Sequence, residues 1–123
     1  MDRRTLVRAR CAEDTGASTV MMLTIFAALM LLLAAALTLI QVHVAASRAA
    51  VAADLAALSA ADAARGLMIG EPCALAASTV SAHGATLDSC DISAPGVAYV
   101  QVRLASPLGL DATAESRAGP KQP

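Results

Sequence analysis

Tryptophan is absent from this sequence, and Phe26 and Tyr99 are its only aromatic residues. A sugar site, a base-stacking surface or an aromatic-rich core would therefore lack its usual anchors. Charge is scarce as well. Nine basic and ten acidic residues leave a net charge of −1, which argues against a nucleic-acid partner held by phosphate neutralisation. The two histidines, His43 and His83, have no second ligand at metal spacing beside them, so no zinc site is expected. Ser59, Ser78, Ser81 and Ser89 stand in no nucleophile-elbow or Ser-x-x-Lys context, and no glycine-rich phosphate loop is present. Catalytic residues, cofactor-binding residues, metal ligands and a small-molecule substrate are thus all expected to be absent, and the chain reads as a non-enzyme.

What is present is apolar. A hydrophobic share of 57% excludes an intrinsically disordered chain, and most of that share lies in one block rather than being spread as a globular core requires. No Asp, Glu, Lys or Arg occurs from Thr15 to Ser47, and within Val20 to Ile40 the only polar residues are Thr24 and Thr38. At ~1.5 Å per residue this stretch covers roughly 30 Å, the thickness of the hydrocarbon layer, and each threonine hydroxyl can bond a carbonyl of its own helix. A buried helix of the same composition would need a partner core that the remaining residues cannot build. Arg3, Arg4, Arg8 and Arg10 precede the run and only Arg48 follows closely, which predicts a cytoplasmic amino terminus and an extracytoplasmic carboxyl terminus in a single-pass cell-membrane protein. A cleavable secretory signal also starts with a basic arm, but its apolar region is usually only ~7–15 residues long. Val44 and Ala46 would still satisfy a signal peptidase, so a small secreted binding protein is the alternative, with an uncleaved single-span anchor as a third possibility.

No proline or glycine interrupts Gln41 to Arg65, which is rich in alanine, the strongest helix former, so the spanning helix should continue to about Arg65. Val44, Arg48, Val51, Leu55, Leu58 and Asp62 recur at steps of three and four along one stripe, and most other positions are alanine. Small side chains allow close helix approach, so Ala45, Ala49, Ala52, Ala56 and Ala60 are the candidate contact to a neighbouring helix; a solvated spacer helix is the competing reading. Gly66 and Gly70-Glu71-Pro72 break the helix, and a short one follows from about Cys73 to His83, closed by Gly84. Ala85 to Ile92 reads as a weak strand, Ser93 to Gly96 as a turn, and Val97 to Leu104 as a strand with Val100, Val102 and Leu104 on one face. The organisation expected is a cytoplasmic basic leader over 1–15, a spanning and continuing helix over 16–65, a small extracytoplasmic helix plus β-hairpin over 66–105, and a disordered tail over 106–123. The fold class is an α-dominated membrane protein with a pilin-like α+β outer portion.

Cys73 and Cys90 fall 17 positions apart in that outer portion, where an oxidising compartment favours pairing, so a Cys73–Cys90 disulfide is expected, with two free cysteines packed as small hydrophobes as the alternative. Cys11 precedes the apolar run, on the side expected to be reducing, and is not placed as a lipoprotein cysteine would be.

Two segments carry a resemblance: Asp14-Thr-Gly-Ala-Ser-Thr-Val20 opening the apolar run, and Arg48-Ala-Ala-Val-Ala-Ala-Asp-Leu-Ala-Ala-Leu58 after it. With the paired cysteines and the turn His83-Gly84-Ala85-Thr86-Leu87, they resemble the TadE/TadG-like pseudopilins of the tight-adherence (Flp-type) pilus system over about residues 13 to 104. That resemblance implies a component of a Tad/Flp pilus or secretion apparatus, with other components of that apparatus as partners and a prepilin peptidase cutting between Gly16 and Ala17. Pilins of this kind commonly carry a Glu five residues into the mature chain, where this sequence has Met21. The departure implies a minor or accessory component rather than a bulk subunit.

Overall fold

A computed structural model describes residues 3–93, 95–106 and 109–121, with side chains from Gly16 onward; the arginines of the predicted leader and Cys11 lie outside the described side chains. The elements in chain order are α1 (Arg3–Ala64), α2 (Pro72–Ala82), β1 (Thr86–Ser93), β2 (Val97–Leu104) and β3 (Ala112–Ala118). By their internal contacts the residues form two compact units, Met1–Leu39 and Ile40–Pro123.

In the first unit α1 is a bare apolar helix. Val20, Met22, Leu23, Leu31 and Leu32 are each more than 60% exposed among the described residues. The helix still satisfies its own polar groups. Thr24 Oγ1 donates to the Met21 carbonyl at 2.8 Å and Thr38 Oγ1 to that of Ala35 at 2.7 Å, as expected for hydroxyls that lack other partners. Among the described residues one helix is long and apolar enough to cross a membrane, and its most apolar window has nothing packed on it. By length and composition a signal sequence passes the same test.

In the second unit the remainder of α1 is the floor of a small α+β fold. Its inward positions are Ala49, Ala52, Ala53, Ala56, Ala57, Ala60 and Ala61, all buried in one cluster with Ala76 and Val80 of α2, Ala85, and Ala98, Val100 and Val102 of β2 (Ala49 buried beside it). The expectation that Ala45, Ala49, Ala52, Ala56 and Ala60 face a neighbouring molecule is therefore corrected. Ala49, Ala52, Ala56 and Ala60 are fully buried by this chain itself, and Ala45 is partly buried. The physical reason is supply: α2 and the three strands together hold 34 residues, and among the larger described side chains only Val80, Val100 and Val102 are fully enclosed. Close backbone approach over alanine replaces side-chain bulk, and each pair of touching atoms adds only ~0.1–0.2 kcal/mol, so many contacts are needed. The stripe Val44, Val51, Leu55 and Leu58 faces outward, between 42% and 53% exposed.

Both helices end by one device. The amide of Leu67 donates to the Asp62 carbonyl at 2.9 Å and that of Gly66 to Ala63 at 3.0 Å, while Ala85 donates to Val80 at 3.1 Å and Gly84 to Ser81 at 3.0 Å. These are six-to-one and inner pairs of Schellman ends, which need a left-handed residue just past the cap; Gly66 (φ 77°) and Gly84 (φ 72°) supply it. At the other end of α2, Glu71 caps: its carboxylate accepts from the Cys73 amide at 3.2 Å and the Ala74 amide at 2.6 Å, and Pro72 takes the first helical position, where no amide proton is missed.

The sheet is antiparallel in the order β1-β2-β3. β1 pairs with β2 through Cys90↔Val100 and Ile92↔Ala98, with an irregularity between Leu87 and Ser89. The expected disordered tail over 106–123 is corrected at 112–118, where β3 pairs with β2 from Leu104↔Ala112 to Ala98↔Ala118. Its alternation is real but muted. Ala112, Ala114, Ser116 and Ala118 turn toward the half-buried side and Thr113, Glu115 and Arg117 outward, so the inward set carries little hydrophobic signal.

Because Ala56 is fully enclosed, Ala56→Leu inserts bulk where no space exists. Its expected cost to the stability of the second unit is about 1–3 kcal/mol, read from a thermal or denaturant transition, whereas Leu55→Ala on the outward stripe should shift that transition far less.

Candidate functional surfaces

Gly16 and Ala17, the bond implied for processing, sit in α1 and are exposed, and a Cβ at Gly16 would meet nothing within 4 Å. The bond is therefore uncovered, although helical, and a peptidase that needs an extended strand must first unwind the turn around it. Met21 is 65% exposed four residues beyond Ala17.

Cys73 and Cys90 are joined by a disulfide, with their Cα atoms 5.8 Å apart. It links the first turn of α2 to the middle of β1. Together with the buried Val80 and Ala76 this closes α2 over one edge of the sheet. A loop of this length is worth roughly 3 kcal/mol on the chain-entropy estimate, comparable with fully burying one or two of the core valines. A polar link joins the two helices. Ser59 Oγ of α1 and Thr79 Oγ1 of α2 lie 3.3 Å apart within the alanine contact.

The outward face of the sheet is polar and internally paired. The Tyr99 hydroxyl donates to the Glu115 carboxylate across β2 and β3, and Gln101 Nε2 donates to the same oxygen at 3.2 Å. Tyr99 holds the Glu115 carboxyl below its ordinary range, with Gln101 adding to the effect, and Glu115 in turn raises the Tyr99 hydroxyl. Arg103 bonds Asp88 at 2.9 Å and lies 3.9 Å from Asp111. These pairs are exposed and worth little individually, but they line the open groove of about 490 Å³ that Asp88, Gln101, Arg103, Thr113 and Glu115 share. The sequence alone did not bring Tyr99 to Glu115, because the contact depends on β3.

Among the described residues no group of three or more His, Cys, Asp or Glu could hold a metal ion. Comparison with known proteins returned nothing: no family model, no curated protein and no solved structure matches this chain.

Two outcomes follow. Replacing Cys73 and Cys90 with Ser should lower the stability of the second unit by roughly 3 kcal/mol, and the reductant-treated original chain should match the double variant in a denaturant titration. Tyr99→Phe removes the donor that depresses Glu115, so the Glu115 carboxyl, followed by NMR, should titrate higher, toward its ordinary range. The sign is the same from both partners. The pairing is fully present above the ordinary Glu range and is lost as pH falls through the lowered value; at the other end it is complete below the ordinary Tyr range and is lost as pH rises through the raised one.

Proposed function

We propose that this chain is a non-enzymatic, single-span, TadE-like minor pseudopilin or accessory component of a Tad/Flp-type pilus or secretion system. The observation that supports it most is the division of labour along α1: an uncovered apolar stretch from Val20 to Ile40, then a continuation whose alanine face is committed to a small disulfide-linked α+β unit and whose opposite stripe is left outside. In this reading the amino terminus is cytoplasmic and the carboxyl terminus extracytoplasmic, which suits a cystine at Cys73 and Cys90. The chain acts by helix packing in the membrane or at a filament base. The contact beyond the span is made by the outward stripe Val44, Val51, Leu55 and Leu58 rather than by the alanines. Its partners are other Tad/Flp components, with prepilin peptidase cutting between Gly16 and Ala17; Met21 in place of Glu fits an accessory role better than a bulk subunit. No nucleic acid and no small-molecule substrate belong to the scheme.

The small secreted binding protein keeps one observation in its favour. Among the described side chains Ala49 is the first buried one of α1, so cutting after Ala46 would leave the whole core cluster intact. Against it stands the apolar stripe that release would expose to water on every side.

Mass spectrometry of the chain from its native membrane separates the readings. An amino terminus at Ala17 is expected; one at Ser47 would favour secretion, and Met1 an uncleaved anchor. In parallel, photocrosslinkers at Val51 and Leu58 should trap a neighbouring protein while one at Ala56 should not. Failure at both outward positions would remove helix packing as the mechanism.

A further inference from the structure

The two edges of the sheet are unlike. Along β1 the pairing to β2 is irregular between Leu87 and Ser89, α2 packs against the strand, and the Cys73–Cys90 bond ties it down. Irregular pairing and a covering helix are devices by which sheets keep an edge from accepting another strand. β3 has neither. Its pairing to β2 runs unbroken from Ala112 to Ala118, no proline interrupts it before Pro120, and among the described residues no strand lies on its far side. One row of backbone amides and carbonyls along β3 is thus left for a further strand.

The side chains of β3 select which strand fits. In an antiparallel pair the inward and outward faces match only when residues of the same alternating set stand opposite each other. A second β3, turned by a two-fold axis through Ser116, meets that condition. It sets Ala114 opposite the second copy's Ala118, and Glu115 opposite the second copy's Arg117, each twice by symmetry. An axis through Glu115 would bring like carboxylates together, and one through Arg117 like guanidiniums. An axis through Ala114 would set Arg117 opposite Asp111, which lies outside the strand and is already 3.9 Å from Arg103.

Both charges are open to the contact about Ser116. Arg117 is exposed and forms no ion pair among the described residues, where both ion pairs belong to Arg103. Tyr99 and Gln101 both bond Oε2 of Glu115, which leaves its Oε1 to accept from a guanidinium. We propose that β3 is a docking edge for a second copy of this chain, paired antiparallel about Ser116 so that two three-stranded sheets become one of six. Charge order selects the partner: a strand of another protein would have to carry Arg-x-Glu in register, whereas a copy turned by the two-fold supplies it. The surface lies wholly in the second unit and does not rest on the functional reading above, whose failure shows separately in the mature amino terminus.

The test uses the full chain in phosphatidylcholine bicelles, with Cys11→Ser so that every cysteine outside the Cys73–Cys90 bond is an introduced one. One preparation carries Ser116→Cys and another Ala114→Cys. Opposed residues in an antiparallel pair have Cβ atoms ~4.5–5.5 Å apart, near enough for a disulfide to form with slight movement, whereas the two copies of position 114 would stand roughly 14 Å apart along the strands. Oxidation with copper phenanthroline should therefore link Ser116→Cys chains into dimers and leave Ala114→Cys chains single. Adding Arg117→Glu, an exposed change that breaks no ion pair, should lower the Ser116→Cys dimer yield about tenfold, because two attractive pairs become repulsive. Mixing that chain with one carrying Glu115→Arg and Ser116→Cys should restore the yield, since opposite charges face each other again only in the mixed pair.

No dimer from Ser116→Cys, or a stronger one from Ala114→Cys, overturns the pairing about Ser116. A yield unchanged by Arg117→Glu also overturns it, and would mean that the apolar helix alone gathers the chains. Absence of rescue between two variants that keep the original thermal transition does the same. Glu115→Arg gives up the Tyr99 bond; should it unfold the chain, the Arg117→Glu arm, which keeps that bond, decides the outcome alone.

Discussion

Close packing over alanine in the second half of α1 is the constraint on which the outer fold depends. With Ala52, Ala53, Ala56, Ala57, Ala60 and Ala61 at the contact, α2 and β2 can approach the helix backbone far more closely than over leucine, and Val80, Val100 and Val102, with Leu87 and Leu104 packed against the cluster, supply its bulk. The arrangement is economical but shallow. Little apolar area is available per residue in so small a unit, so tethers that would be incidental in a larger domain carry a substantial share of its stability.

Those tethers are distributed around α2. Its first turn is held by the Cys73–Cys90 bond and the Glu71 cap, its middle by the Ser59 and Thr79 hydroxyls, and its end by the Schellman pairs to Val80 and Ser81. A helix of eleven residues has little stability of its own in water, and here each of its turns is fastened to something else. The sheet follows the same logic at lower cost. Its outward face carries the Tyr99, Gln101 and Glu115 network and the Arg103 pairs, which satisfy polar groups and join neighbouring strands without contributing to the core.

Committing the alanines inward determines what the surface presents. Along Ile40 to Ala64 the larger apolar side chains are displaced to the outside, the reverse of the usual amphipathic helix, whose bulk faces its own core. An apolar stripe left in this way calls for a covering surface, which is why it supports a helix-packing function better than the alanine face does. The same rotation of α1 places Ser47 and Arg48 beside the end of α2, where they meet His83 in one cleft.

Much of this was legible in the sequence because it is local. A charge-free run of sufficient length, alanine propensity and the glycine and proline stops define α1 and α2 from neighbouring residues alone, and the alternation of Val97 to Leu104 marks β2 in the same way. The positions of Cys73 and Cys90 already allowed their pairing, though not the rejection of two free thiols. What tertiary structure alone decided is which face of α1 is inside and that 112–118 is a strand. Alanine is equally compatible with a neighbour's helix, with solvent and with a core, so its direction depends on what the rest of the chain brings to it. β3 likewise has inward residues too small to signal burial, and only pairing along β2 distinguishes it from a polar tail. The meeting of Arg48 with His83, 35 residues apart in sequence, belongs to the same class, because no periodicity connects two helices until the core between them has formed.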